Sequence, residues 1–430
     1  MIPQNFLKAI ASEHKVSSAE LEVLSLAMQG ESVANMSQNL HISEDAVRKR
    51  LSEVYQKFQI PGRGPVKLTK LQQHLIRQYQ ARANLQSIFS DSQAVSFPNR
   101  ETNQLGNYID WDSAPDVSVF FGRTAELATL SDWIVNQRCR LVALLGMGGM
   151  GKTALAVKLA RQIQEQFDYL VWRSLGSVPT LEELLTDIIK SLHPEGEIKH
   201  LNTIEQKISW LIAHFQSYRC LIILDGVEAI LSQNKLVGTY SQGYENYSYF
   251  FRRLGEEASK SCVFLTSREK VGEISFLEGA IFPVRSWQLS GLGQNARLLL
   301  QEKGLLGDRD WDVLIESYRG NPLMLKLAAT TIQEVFDGNV SEFLSTTLFP
   351  NNVTDFVGKM IERLSELELK VLVEIASQEK PMTLSELITH LNNFRTKDVI
   401  SSVTSLRQRS LLEKSPSGFL LPPVVKDVIS

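Results

Sequence analysis

The run Gly146-Met147-Gly148-Gly149-Met150-Gly151-Lys152-Thr153 has the residue types and spacing of a phosphate-binding loop. Glycines let successive backbone N–H groups turn inward around an anion, and a following helix adds the positive end of its dipole. In such a loop Gly146, Gly148, Gly149 and Gly151 form the cradle. Lys152 reaches the β- and γ-phosphates, and the Thr153 hydroxyl ligates magnesium. A second magnesium ligand is needed at the end of a neighbouring strand. Leu221-Ile222-Ile223-Leu224-Asp225 offers Asp225 after four apolar residues. Glu228, three positions on, either orients an attacking water or is a surface glutamate at a helix start. Another apolar run ends in Thr266-Ser267-Arg268. Parallel strands deliver their C-terminal ends to one crevice, so Arg268 would meet the γ-phosphate there; otherwise it is a surface arginine. The expectation is a nucleotide site with Mg2+, with Lys152, Asp225, Glu228 and Arg268 as catalytic candidates.

Those residues need a parallel sheet to bring them together. From 117 the chain alternates strands and helices. Apolar runs at 140–145, 169–173, 220–224 and 261–266 predict four strands, with a fifth near 280–284. The phosphate loop falls between the first of these and a helix over 152–166. A Tyr/Ser/Gly-rich loop at 232–248 is expected to be mobile. After 289 the pattern is helical: 295–303, 311–318 and 322–335 make a small helical domain. Helices at 356–364, 366–377, 383–390 and 397–409, followed by a hairpin over 411–421, suggest a winged helix.

Residues 1–85 read as short helices at 18–29, 33–40 and 45–58, with Ser43 as an N-cap and a further polar helix over 67–84. From 48 to 85 nine Lys/Arg stand against one acid, Glu53, a net of +8, which leaves −11 for the rest of a chain whose total is −3. A basic block of this kind is a possible nucleic-acid footprint or a solvated helix face. Residues 86–116, polar and interrupted by Pro98 and Pro115, read as a linker. The expected divisions are 1–85, 86–116 (linker), 117–288, 289–354 and 355–430.

Phe121-Gly122-Arg123, the phosphate loop, Leu224-Asp225, Thr266-Ser267-Arg268 and Gly320-Asn321-Pro322-Leu323 follow one another in an order that resembles the NB-ARC signalling ATPases of the STAND class. The resemblance implies that Gly122 and Arg123 flank an adenine and that Pro322 packs on it. It also implies that ADP holds a closed monomer and that ATP supports an open, oligomerising form. Two departures stand out. Many relatives place a second acid where this chain has Gly226, and the family's Met-His-Asp aligns with Leu421-Pro422-Pro423. A proline donates no hydrogen bond, so it cannot lock the closed state as that histidine does. With no acid at Gly226 either, slow hydrolysis is expected, a switch more than a turnover enzyme. Residues 17–60 are similar to a LuxR/GerE helix-turn-helix. Ser43, Asp45, Ala46, Arg48 and Lys49 would then reach base edges, with Arg50, Lys57 and Arg63 on phosphates. DNA binding is one expectation. The alternative is a protein-interaction scaffold of a bacterial-type defence or signalling system, with a structural nucleotide.

Composition fits these readings. Hydrophobic residues are 43% and charged residues 22%, the range of globular protein. Three cysteines give no disulfide framework, and the seven histidines show no metal spacing. With no signal-like or membrane-length apolar stretch, a cytoplasmic protein is expected. Related switches continue into a repeat domain, for which 430 residues leave no room, so either the chain is part of a longer one or the sensor is another molecule. The fold class expected is an α/β P-loop NTPase flanked by an all-α helix-turn-helix domain, a small helical domain and a winged helix.

Overall fold

The computed structural model describes residues 11, 16–28, 33–58, 67, 71, 75, 107–193, 201–279 and 282–430. It divides into two compact units, Met1–Gln104 and Leu105–Ser430.

In the first unit α1 (Ser18–Met28), α2 (Val33–Leu40) and α3 (Glu44–Lys57) follow the expected pattern. Ser17 starts α1 through a reciprocal cap: its N–H donates to Glu20 Oε2 at 2.7 Å, and its Oγ accepts from the Glu20 N–H at 3.4 Å. Ser43 starts α3, its Oγ accepting from the Ala46 N–H at 3.2 Å. Val47, Leu51 and Val54 recur at helical spacing and are buried against Val23, Ala27, Met36 and Leu24. Leu71 and Leu75, in the segment read as a polar helix, join this core. Arg63 lies outside the described residues.

The second unit is built on a six-stranded sheet, parallel at every pairing. Its strands are β1 (Tyr108–Asp110), β2 (Leu141–Leu145), β3 (Tyr169–Ser174), β4 (Cys220–Asp225), β5 (Cys262–Ser267) and β6 (Val284–Gln288), in the spatial order β1-β3-β4-β5-β2-β6. Period-two alternation sorts β2 between the faces. Leu141, Ala143 and Leu145 pack under α6 (Leu181–Leu192), α7 (Ile204–Ser217) and α8 (Asn246–Glu256). Val142 and Leu144 face α4 (Thr124–Val135) and α5 (Lys152–Ile163). A short α9 (Gly272–Leu277) leads toward β6.

The four central strands match the expected runs, and the fifth begins where the expected one ended. The sixth, β1, lies in the segment read as linker. It is held by its ladder to β3 and by Asp110, which accepts from Arg173 Nη2 at 2.8 Å and Ser191 Oγ at 2.7 Å.

A helical lobe follows: α10 (Ala296–Glu302), α11 (Trp311–Ser317), α12 (Pro322–Val335) and α13 (Val340–Thr346). The C-terminal lobe comprises α14 (Asn351–Ile361), α15 (Glu366–Ala376), α16 (Leu384–His390), α17 (Thr396–Gln408), the hairpin β7 (Glu413–Ser415) with β8 (Gly418–Leu420), and α18 (Pro423–Ile429). An antiparallel bridge from Met382 to Phe419 ties the segment before α16 to the hairpin. One apolar core runs from the sheet through both lobes, from Val142 past Leu325 to Val425. Nor is the 232–248 loop loose. Leu231 bridges to Tyr240, Tyr240 Oη donates to Glu273 at 2.7 Å, and the Val237 N–H donates to Ser405 Oγ at 2.9 Å.

Candidate functional site

β2 ends at Leu145 and α5 begins at Lys152, so the loop between them is short and must reverse sharply. Gly149 (φ +79°) and Gly151 (φ +86°) take left-handed backbone that other residues resist. At Gly149 a side chain would meet Asn321 and Leu323 at 2.7 Å, so glycine is also required by space. Two groups from the start of α12 brace the loop from outside. Asn321 Nδ2 donates to the Gly148 carbonyl at 2.9 Å, and the Leu323 N–H donates to the Gly149 carbonyl at 3.2 Å. Asn321 Oδ1 at the same time accepts from the Leu323 and Met324 N–H groups, capping α12, with Pro322 in its first turn.

Lys152 is 8% exposed, and its Nζ donates to the loop's own Gly146 and Met147 carbonyls at 2.8 and 3.1 Å. Burial pulls its ammonium down to about 8; Glu228 and Asp225 oppose that shift and Arg268 adds to it. Thr153 Oγ1 and Thr266 Oγ1 both donate to Asp225 Oδ1, at 2.8 and 2.6 Å. Burial raises the Asp225 carboxyl in spite of those two hydroxyls. Gly226 (φ +82°) turns the chain sharply after β4, and its N–H reaches Thr266 Oγ1 at 3.0 Å. Glu228 and Arg268 are paired with each other: Nε lies 3.0 Å from Oε1, and the Arg268 N–H donates to Oε2 at 3.2 Å.

These groups line one cavity of about 940 Å³, walled by Gly148, Gly149, Gly151, Lys152, Thr153, Asp225, Glu228, Thr266 and Arg268, with Lys326 and Arg363 from the two lobes. An adjoining slot of about 160 Å³ is mostly apolar, lined by Val119, Phe120, Phe121, Met150, Leu292, Leu299, Pro322 and Leu323, with Arg123 and Lys326. A glycine cradle, a buried ammonium and a hydroxyl–carboxylate pair beside an apolar slot fit a nucleotide with Mg2+.

The structure therefore brings together Lys152, Thr153, Asp225, Glu228, Arg268 and Pro322. Arg123 (φ +65°) is buried at the slot's edge. It is tied by Nη2 to the Ser290 and Met150 carbonyls at 2.7 and 3.2 Å and by Nη1 to Glu126 at 2.8 Å, so its guanidinium braces the walls. Gly122 lines neither space; a side chain there would strike Asn295 at 2.8 Å. Leu421, Pro422 and Pro423 line neither space; Pro422 is instead the N-cap of α18 and Pro423 its first residue. Sequence reasoning missed the second role of Asn321 and the apolar residues around Pro322, whose only signal was their place beside the recognised motifs. It also missed Glu269, Arg363 and Arg409, which a long-range ion network joins.

The helix-turn-helix candidates are distributed differently. Asp45, Arg48 and Lys49 are exposed on α3, but Arg48 pairs with Glu44 at 2.7 Å and Asp45 at 3.1 Å. Arg50 Nη1 reaches the Ala19 carbonyl at 3.5 Å. Lys57 pairs at 2.5 Å with the buried Glu20. Burial works against the Glu20 charge, but Lys57 and the Ser17 amide and hydroxyl outweigh it and hold the carboxyl at about 2.

Comparison with known proteins agrees with this layout. Residues 123–251 match the NB-ARC domain family, and residues 14–66 match the luxR family of bacterial regulatory proteins. An uncharacterized WD repeat-containing protein of Nostoc sp. is 40% identical over 339 residues, 75% of this chain and 27% of that one. A disease resistance RPP13-like protein of Arabidopsis thaliana is 25% identical over 128 residues, 28% of this chain and 15% of that one. The chain thus spans about a quarter or less of these relatives' lengths. The fold is that of a Walker-type ATPase of Pyrococcus abyssi (TM-score 0.52, 14% identity, 76% of this chain and 99% of that one). No helix among the described residues is long and apolar enough to cross a membrane.

Proposed function

Because residues 123–251 match the NB-ARC domain family and residues 14–66 the luxR family, we propose that the chain is a STAND-type ATP/ADP switch whose nucleotide state governs the N-terminal module. The observation that carries the reading is the convergence of Lys152, Thr153, Asp225 and Arg268 on one cavity beside the apolar slot. In this reading Gly146, Gly148, Gly149 and Gly151 cradle phosphate, while Thr153 and Asp225 hold Mg2+. Pro322 and Arg123 line the adenine slot, and Gly122 lies outside it. Bound Mg2+ would neutralise phosphate charge and polarise the terminal phosphoryl group.

The chain's own groups do the rest. Lys152 exchanges the Gly146 and Met147 carbonyls for phosphate oxygens, a better partner for a desolvated ammonium. Arg268 and Glu228 must part before either can act, Arg268 on a γ-phosphate and Glu228 on an attacking water. Glu228 is the nearest candidate base because Gly226 carries no acid, which supports slow hydrolysis and a switching role. The open, ATP-bound form would oligomerise, and the helix-turn-helix would bind DNA. Titration of the full chain with ADP and with ATP plus Mg2+ tests the site. Lys152→Ala should weaken both at least about tenfold, the worth of a charged hydrogen bond. Equal affinity in the variant would sink the assignment.

A second reading, a scaffold whose helix-turn-helix docks protein, is favoured by one observation. The first turn of α3 is acidic, Glu44 and Asp45, where a groove-reading helix meets a polyanion.

A further inference from the structure

Of the C-terminal lobe, Arg363 alone lines the phosphate cavity. It sits just after α14, and its Nη2 donates to the Glu228 carbonyl at 3.0 Å and to Glu269 Oε1 at 3.3 Å. Its Nε is buried and has no hydrogen-bond partner among the described residues. A guanidinium offers five donors, so much of this one's capacity is unspent. The same side chain borders a second, small space with Gly148, Arg268, Glu269, Met360 and Arg409. It therefore stands between the phosphate loop and the buried ion network behind it.

That network shows which arginine is free to leave. Glu269 is 2% exposed and takes its short bond, 2.6 Å, from Arg409 Nη1. Arg409 is fixed on its other sides, by the Lys235 carbonyl at 2.9 Å and by Glu368, 3.3 Å from its Nε. Glu368 in turn accepts from Ser405 Oγ at 2.6 Å. Stranding a buried carboxylate is costly, but Arg409 keeps Glu269 paired if Arg363 turns away. Both arginines have a buried Nε with no hydrogen bond, so the difference is that Arg363 holds the longer bond to Glu269 and lines the cavity, which Arg409 does not. Leu421, Pro422 and Pro423, which offer no side-chain donor, are not at that wall.

We propose that Arg363 is a phosphate ligand of the bound nucleotide, supplied by the C-terminal lobe, and that through it the nucleotide holds that lobe. This rests on the nucleotide reading above. Planar, always charged and able to bind two phosphate oxygens at once, a guanidinium suits the task. To meet a phosphate it would exchange Glu269 and the Glu228 carbonyl for phosphate oxygens.

The test is calorimetric titration of the full chain with ADP, with adenosine measured by competition against a fluorescent ADP. Arg363→Ala should weaken ADP by about 10- to 100-fold and leave adenosine unchanged. Arg363→Lys should restore part of the loss. Glu269→Gln relaxes the hold on Arg363 and should leave ADP as tight as wild type or tighter. If Arg363 is only a clamp between lobes, Arg363→Ala and Glu269→Gln will weaken ADP and adenosine together, and the proposal is overturned. Unchanged ADP affinity in Arg363→Ala, with Lys152→Ala defective, overturns it while leaving the nucleotide site standing. A wild-type chain that binds neither ADP nor ATP overturns the underlying reading itself.

Discussion

Lys152 is a cation held in a poorly hydrated place by two carbonyls, and that sets a pH signature. Its ammonium titrates near 8, below the ordinary lysine value of 10.5, because burial disfavours the charge. An anionic ligand would raise that value again. Affinity for ADP should therefore be flat below pH 8 and fall as pH rises above it, with proton uptake on binding at pH 9 and almost none at pH 7. Calorimetry in buffers of different ionisation heat reads this directly. A pH-independent affinity across that window would mean that Lys152 does not meet the phosphates. Without ligand the sign reverses. The unfolded chain binds more protons between about 8 and 10.5, so this residue's burial cost is relieved as pH rises through that range. Arg268 carries a separate expectation. Arg268→Ala should weaken ATP about tenfold and ADP far less, since only a triphosphate presents a γ-group. Equal losses would place Arg268 elsewhere. The residue types themselves made these groups legible in the sequence. The Glu228–Arg268 pairing was not legible, because it depends on where two strand ends lie side by side.

The phosphate loop is held from outside as well as from its own helix. Asn321 is fully buried and serves two masters, the α12 N-terminus and the Gly148 carbonyl. Asn321→Ala should cost about 2 kcal/mol, the sum of a lost cap and an unsatisfied carbonyl, read as a lower urea midpoint, and should weaken ADP as well. Unchanged nucleotide affinity at reduced stability would show that the brace is structural alone. The Gly320-Asn321-Pro322 motif was visible in sequence, but its hydrogen bond to a loop far earlier in the chain was not. Two other elements were missed for local reasons. β1 has three residues in a polar neighbourhood, and what holds it is Arg173, far along the chain. α18 begins at a double proline that reads as a break, although proline is well tolerated in a first helical turn. The 232–248 loop, polar and glycine-rich, looked mobile because composition says nothing about Tyr240 finding Glu273 or Val237 finding Ser405.

In the small N-terminal unit the net charge of the basic segment was a fair guide to composition and a poor one to availability. Arg48 is in exposed pairs, which are worth little and can be exchanged for phosphate. Lys57 cannot be exchanged so cheaply, because Glu20 would be left buried without its partner. Titration of the full chain with duplex DNA at several salt concentrations decides between the two readings of this unit. A steep salt slope supports DNA binding, and its absence supports protein docking. The Glu20 pair adds a pH test. Its carboxyl lies near 2 against an ordinary 4.5, so its contribution is present above about 4.5 and is lost as pH falls toward 2. Hydrogen exchange should show α1 less protected in Glu20→Gln than in wild type at pH 6, with the difference shrinking below pH 4.5. A constant difference would locate the effect outside this ionisation.

The order of the strands has a consequence for how the molecule is made. Leu141 of β2 pairs with Val263 on one side and Val284 on the other, so the strand that precedes the phosphate loop is synthesised long before either neighbour exists. During translation the helix-turn-helix unit, whose contacts are local, can finish folding while β2 still waits with both edges open. Nascent chains of this kind are exposed to pairing with the wrong strand until β5 and β6 emerge. A nucleotide binding the completed site would act as a late inspector, rewarding only chains in which those distant strands have arrived.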